Sequence, residues 1–340
     1  MKKYFALILA LALLGMTACG SGAVADTTAV TTAETTVAPV TEPTQTPEED
    51  KVLKIMIVGN SHSIDTFHLL QKVFADQQPD REIVLGILYY SGCTISKHVS
   101  FAQQEQAKYI YYCNSGGVWD EMRETTLDYG LRDRVWDIIV FQGGRGDGEN
   151  EYNLKGRRTL EQIVSEHVAQ PYTMMWQITW PSPDDPYFFT EDYPVQPPAG
   201  WMEYLINDFG HDTFYQFEVM LGKAQPHLTE DETYEKVMSI GAGIMYAHAA
   251  LNVPQQELWR DYTHLSDYGR LIAAYTFYAQ FTGEPITQIN IDVIPAALRQ
   301  ARSRAKGDLI VTEEMKQVIM DAANHALENP WTAPQRPAAN

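Results

Sequence analysis

Two short segments, far apart along the chain, carry residue types that could do chemistry together. Ser61 lies in Gly59-Asn60-Ser61-His62-Ser63, and an aspartate and a histidine lie in Asp261-Tyr262-Thr263-His264. A serine hydroxyl becomes a useful nucleophile when an imidazole takes its proton. The imidazole in turn works best when a carboxylate fixes its tautomer and carries its charge. At their spacing, Asp261 and His264 can leave one loop on the same side. Each segment also has a plainer reading when taken alone. Serine is a favoured helix cap, and the chain holds nine histidines in all.

The elements around these residues must bring them together. Val52–Val58 is a short apolar run rich in β-branched residues and reads as a buried strand. Ser61 sits on the turn after it, and Ile64–Ala75 has helical apolar spacing. Further strands are expected at Arg81–Tyr90, Trp136–Phe141 and Tyr172–Trp180, with short ones near Tyr109–Cys113. Val237–Ile240 fits a fifth strand followed by a helix, or part of one long helix; we favour the strand. Helices are expected near Ser100–Ala107, Thr125–Asp133, Leu154–Ala169, Asp212–Leu221, Asp267–Thr282 and Glu313–Leu327. Strands alternating with helices predict an α/β protein with a central parallel sheet. The turns after residues 58, 90, 141 and 180 then share the carboxyl edge of that sheet, where ligands bind in such folds. The stretch 184–213 is rich in proline and aromatic residues and reads as an insertion, open to a lid role.

With serine near the domain start and Asp-x-x-His before a late sheet-packing helix, the chain resembles the SGNH (GDSL-like) hydrolase superfamily. Gly59-Asn60-Ser61 stands where many members have Gly-Asp-Ser, Gly92 matches the second block, and Asp261-Tyr262-Thr263-His264-Leu265-Ser266 matches the fifth. The third block departs: Phe141-Gln142-Gly143-Gly144 replaces the usual Gly-x-Asn-Asp, which is similar to a less-studied branch. The resemblance implies a flavodoxin-like three-layer α/β/α fold. It further implies Ser61 as nucleophile, His264 as base and Asp261 as its orienting acid. The oxyanion donors would be the Ser61 and Gly92 N–H groups and the Gln142 side-chain amide. It implies an ester or acyl hydrolase without cofactor or metal, acting on an acylated carbohydrate or other small ester. Two other readings share these residues: a carbohydrate-binding surface lipoprotein with an idle triad, and an O-acyltransferase.

Asn60, His62 and Trp180 are the expected substrate-lining residues. Trp176 and Trp201 could stack on sugars or fill the core. Asp65 reads as a first-turn helix acid, His98 as structural, and Arg145-Gly146-Asp147 as a chance adhesion tripeptide.

The chain has 340 residues, 45% of them hydrophobic, and a formal charge of -19. That suffices for a large core and disfavours nucleic acid and anionic membrane surfaces as partners. Lys2 and Lys3 precede the apolar run Tyr4–Met16, which is too short to span about 30 Å of bilayer. Met16-Thr17-Ala18-Cys19 resembles a bacterial lipobox. We therefore expect a signal peptide over 1–18, lipid on Cys19, a flexible Thr/Pro-rich tether over 19–50 and a hydrolase domain over 51–335. The expected location is the bacterial envelope, outside the cytoplasm, with the N-terminal lipid as the only membrane contact. Oligomeric state is open, and so is pairing of Cys93 with Cys113.

Overall fold

The computed structural model describes residues 52–145, 151–169, 171–210, 212–299 and 307–336. The expected signal, lipobox and tether lie outside these residues. The described part falls within one compact unit, Gln45–Asn340.

β1 (Val52–Gly59) is the centre of the sheet. Its Ile55, Met56 and Ile57 are fully buried, as expected of a strand covered on both faces. β1 is followed by α1 (Ser61–Phe67) and α2 (Leu70–Gln77), then β2 (Glu82–Tyr89) and α3 (Ile95–Gln103). Next come β3 (Tyr109–Ser115), β4 (Val118–Thr125), α4 (Leu127–Arg132), β5 (Ile138–Gln142), α5 (Glu151–His167) and β6 (Thr173–Ile178). A 3-10 turn at Pro186–Phe189 leads to α6 (Trp201–Phe209), α7 (Thr213–Leu228), β7 (Lys236–Ser239) and α8 (Ile240–Ala249). The described chain closes with α9 (Gln255–Leu258), α10 (Asp267–Thr282), the small pair β8 (Val293–Ile294) and β9 (Leu309–Ile310), and α11 (Glu313–Glu328).

The main sheet runs in the order β4-β3-β2-β1-β5-β6-β7. The strands β2, β1, β5, β6 and β7 are mutually parallel, whereas β3 is antiparallel to both its neighbours. Helices cover both faces of this sheet, giving a three-layer α/β/α fold. On one face α10 packs against α1, α2, α8 and α11. On the other, α3, α4 and α5 pack together, and Arg157 of α5 reaches the His227 carbonyl of α7 at 3.3 Å. The parallel strand order reverses between β1 and β5. At such a switch point the following helices leave on opposite faces and open a crevice at the carboxyl edge.

Four differences from the sequence reading have local causes. The single helix expected over 64–75 is two, because the chain turns at His68-Leu69, and it begins earlier, at Ser61. The first helix after β2 starts at Ile95, capped by Thr94, rather than near Ser100. A full hairpin replaces the short strands near 109–113. Gly116 and Gly117, with φ of 64° and 84°, make its turn. Its outer strand, VWDEMRET, is mostly exposed, and such charged edge strands lack an apolar signature. The 184–213 insertion holds a helix, α6, between Gly200 and Gly210, both with positive φ. The fifth strand and following helix occur as favoured. No disulfide joins Cys93 and Cys113. Among the described residues no helix is long and apolar enough to cross a membrane.

Candidate active site

The nucleophile's turn is built by close packing at the end of β1. Gly59 allows it: a Cβ there would lie 2.1 Å from Ser63 Oγ and 2.8 Å from Gln142 Oε1. Asn60 caps α1, its Oδ1 accepting from the His62 N–H at 3.1 Å. The Asn60 Nδ2 donates to the Cys93 carbonyl at 3.0 Å. That bond holds the turn after β2 beside the turn after β1. From β5, Gln142 Oε1 accepts from the Asn60 N–H at 3.0 Å and from Ser63 Oγ at 2.9 Å. Ser61 is therefore fixed as the first helical residue, where the backbone N–H has no partner within the helix.

The partner segment is the loop between α9 and α10. Trp259 and Leu265 form an isolated antiparallel bridge, and the Arg260 N–H donates to the His264 carbonyl at 2.9 Å. This tight closure thrusts Asp261 and His264 from one side. His264 Nε2 lies 2.8 Å from Ser61 Oγ. His264 Nδ1 lies 3.0 and 2.9 Å from the two Asp261 carboxylate oxygens. Asp261 is fully buried, and its Oδ1 also accepts from the N–H groups of Thr263 at 2.9 Å and His264 at 2.8 Å. Burial alone would raise its pKa. The hydrogen bond and charge of His264 and the two backbone donors outweigh that and hold it below the usual carboxylate range. Asp261 thus stays charged and faces the ring nitrogen that must keep its proton. The arrangement can draw the Ser61 proton onto Nε2 while the carboxylate supports the resulting imidazolium.

The remaining expected residues divide. Gly92 lies exposed in a four-residue turn closed by the Cys93 N–H on the Tyr90 carbonyl at 3.1 Å, with φ of 58°. Gln142 is fully buried. Its amide braces the nucleophile turn through its oxygen, while one of its two N–H donors meets the Gly143 carbonyl. Asn60 is likewise buried with both amide atoms engaged. His62 is buried against Trp180, ring centroids 4.8 Å apart, with Nε2 3.3 Å from Thr263 Oγ1. Burial first, then the neighbouring cations, push its pKa well below the ordinary value, so it is neutral. Trp180 is fully buried, its Nε1 donating to the Thr263 carbonyl at 3.0 Å. It buttresses the loop and offers no stacking face. Trp176 belongs to the core, while Trp201 is half-buried and meets the Tyr262 ring at 5.5 Å.

Sequence reasoning missed two supports. Asp65 is not a first-turn acid; it lies on the buried side of α1. Its Oδ1 accepts from Arg260 Nη1 at 2.7 Å and its Oδ2 from the Leu265 N–H at 3.0 Å. Its burial between apolar Ile64 and Phe67 gave no hint of a distant partner. Arg145 donates from Nη2 to Thr263 Oγ1 at 2.9 Å and from Nε to the Trp180 carbonyl at 3.1 Å. His98 is structural as expected, fully buried with Nδ1 2.8 Å from the Tyr109 hydroxyl. Among the described residues no group of three or more His, Cys, Asp or Glu side chains is placed to hold a metal.

Fold and site together define a doubly wound α/β protein with a serine–imidazole–carboxylate chain at the carboxyl edge of its sheet. Among solved structures it is similar to a DUF4886 family protein from Bacteroides uniformis ATCC 8492. The two are 18% identical with a TM-score of 0.66, over 83% of this chain and 97% of that one. That likeness is one of fold. A gut microbial diltiazem-metabolizing enzyme aligns more loosely, at 12% identity and a TM-score of 0.38, over 67% of this chain and 46% of the other. No family model and no curated protein matches the chain.

Proposed function

We propose that this chain is a serine hydrolase of the SGNH type, cleaving a carboxylic ester. The observation that carries the reading is the continuous hydrogen-bonded chain from Ser61 Oγ to His264 Nε2 at 2.8 Å, and from His264 Nδ1 to Asp261 at 2.9 Å. His264 takes the proton as Ser61 Oγ attacks the ester carbonyl. The oxyanion is received by the backbone N–H groups of Ser61 and Gly92, with Gln142 holding the turn that aims the first of them. His264 then protonates the departing alcohol, and water releases the acyl group by the same steps in reverse. The acylated carbohydrate expected as substrate, and export with lipid on Cys19, are further parts of the proposal, supported by the lipobox-like Met16-Thr17-Ala18-Cys19.

The test is hydrolysis of short-chain nitrophenyl esters and acetylated glycans by the unaltered chain and by Ser61→Ala. The expected loss is at least about a hundredfold, since removing one triad member elsewhere costs roughly 10³- to 10⁶-fold. Equal rates would reject the mechanism.

A further inference from the structure

Arg145 is only 8% exposed, and its guanidinium is spent on neutral groups: the Trp180 carbonyl, Thr263 Oγ1 and the face of Trp201, 5.5 Å away. Among the described residues, the other arginines that are buried or nearly so and are paired across the core meet carboxylates. Arg157 pairs with Asp231 at 2.8 Å, Arg260 with Asp65 at 2.7 Å, and Arg270 with Asp267 at 2.9 Å. Arg145 pairs with none among the described residues. Burying a cation without a counter-charge is expensive, so buried charges are ordinarily paired. Burial lowers its pKa to about 10, partly offset by Tyr204, Tyr262 and the Asp261 carboxylate, which act on it without an ion pair, and it stays charged at neutral pH.

Its place is informative. Thr263, whose Oγ1 accepts one of its hydrogen bonds, lies between Asp261 and His264 and also touches His62, the residue after the nucleophile. A guanidinium has five N–H donors in a planar fork, and the described residues engage two of them. Trp201, whose ring the guanidinium covers, has a shielded Nε1 with no hydrogen-bond partner among the described residues. A cation with spare donors and an orphaned indole donor therefore share one spot against the loop that carries His264. Among the described residues neither spare donor set has an acceptor, and a carboxylate could serve both.

We propose that Arg145 is an anion-recognition residue: the substrate is an ester that retains a free carboxylate, and that carboxylate docks on the Arg145 guanidinium. This rests on the serine hydrolase reading above. The acidic character of the whole chain does not forbid it, because charges farther than about 8 Å are largely screened at physiological ionic strength. The carboxylate belongs either to the acyl part, as in monomethyl succinate, or to the alcohol part, as in acetoxyacetate.

The test is binding to the full chain carrying Ser61→Ala, which removes turnover, followed by tryptophan fluorescence. Monomethyl succinate is compared with dimethyl succinate, and acetoxyacetate with propyl acetate. In at least one pair the anionic member should bind about tenfold tighter or better, as a charge-assisted pair predicts. Adding Arg145→Gln should bring that ratio close to one. Equal affinities within both pairs would overturn the proposal. So would an Arg145→Gln chain that weakens both members alike, since that is what a mere brace for Thr263 would do. The first comparison needs no Arg145 variant, so misfolding of Arg145→Gln leaves the proposal open to refutation. Methanol release from monomethyl succinate by the unaltered chain reads the hydrolase separately. Preferential binding without release keeps the anion site and rejects the esterase.

Discussion

The buried Asp65 carboxylate, on the helix that begins with Ser61, receives Arg260 Nη1 at 2.7 Å from the loop that carries His264. The same carboxylate accepts from the Leu265 N–H at 3.0 Å. One side chain thus ties the nucleophile's helix to the loop of its base, across most of the chain.

Asp65 is a positioning residue, and Asp65→Asn should show it. The amide would set a donor against Arg260 Nη1 and leave that guanidinium uncompensated. Breaking a buried pair by removing one partner costs about 3–5 kcal/mol. Thermal unfolding should show the loss. In protein that still folds, kcat should drop by up to about a hundredfold with KM little changed, since small misplacements of catalytic groups are that costly. An unchanged Tm and kcat would remove Asp65 from the account.

Gly59→Ala probes the other side of the centre. The new Cβ would sit 2.1 Å from Ser63 Oγ and 2.8 Å from Gln142 Oε1. Gln142 Oε1 also holds the Asn60 N–H, so any relief moves the nucleophile turn. Overpacking of this kind costs about 1–3 kcal/mol. Ester hydrolysis should fall more steeply than stability does. A variant with parental rates would mean that the Gln142 brace does not set the position of Ser61.

Stability should fall as pH falls below about 6.5, the ordinary histidine value. His98 is fully buried, and burial lowers its pKa to about 3. Between those two values the unfolded chain binds a proton that the folded chain refuses, so stability rises with pH there. The slope from this residue is about 1.4 kcal/mol per pH unit. His62, also lowered by burial, acts in the same direction. Asp261 enters only at lower pH. Its stabilisation is complete above the unfolded carboxyl value of about 3.9 and is lost as pH falls through its lower folded value. Denaturant titrations from pH 7 to 4 check the sign. His98→Gln should reduce the slope, and an unchanged slope would place the titration elsewhere.

The fold was legible where buried strands are continuous apolar runs, as at Val52–Val58, and where a helix follows each. The serine, the histidine and the aspartate were legible through the resemblance of their two segments to SGNH blocks, since the spacing of either segment alone fits a helix cap or a surface loop as well. The substrate-lining choices were not. Asn60, His62 and Trp180 look available in sequence, yet all three are buried supports. Polar residue type gives no direction, and only packing shows that the Asn60 amide and Trp180 Nε1 bond within the protein and that the His62 ring is shielded from solvent. Arg145 was hidden for the converse reason, since its neighbours Trp180, Trp201 and Thr263 come from three separate segments.

Labelling with a fluorophosphonate, read by mass spectrometry of the digested chain, asks whether His264 activates Ser61. The account predicts a single adduct on Ser61 that disappears in Ser61→Ala and is strongly reduced in His264→Ala. An unlabelled parent chain, or an adduct that survives replacement of Ser61, would contradict it.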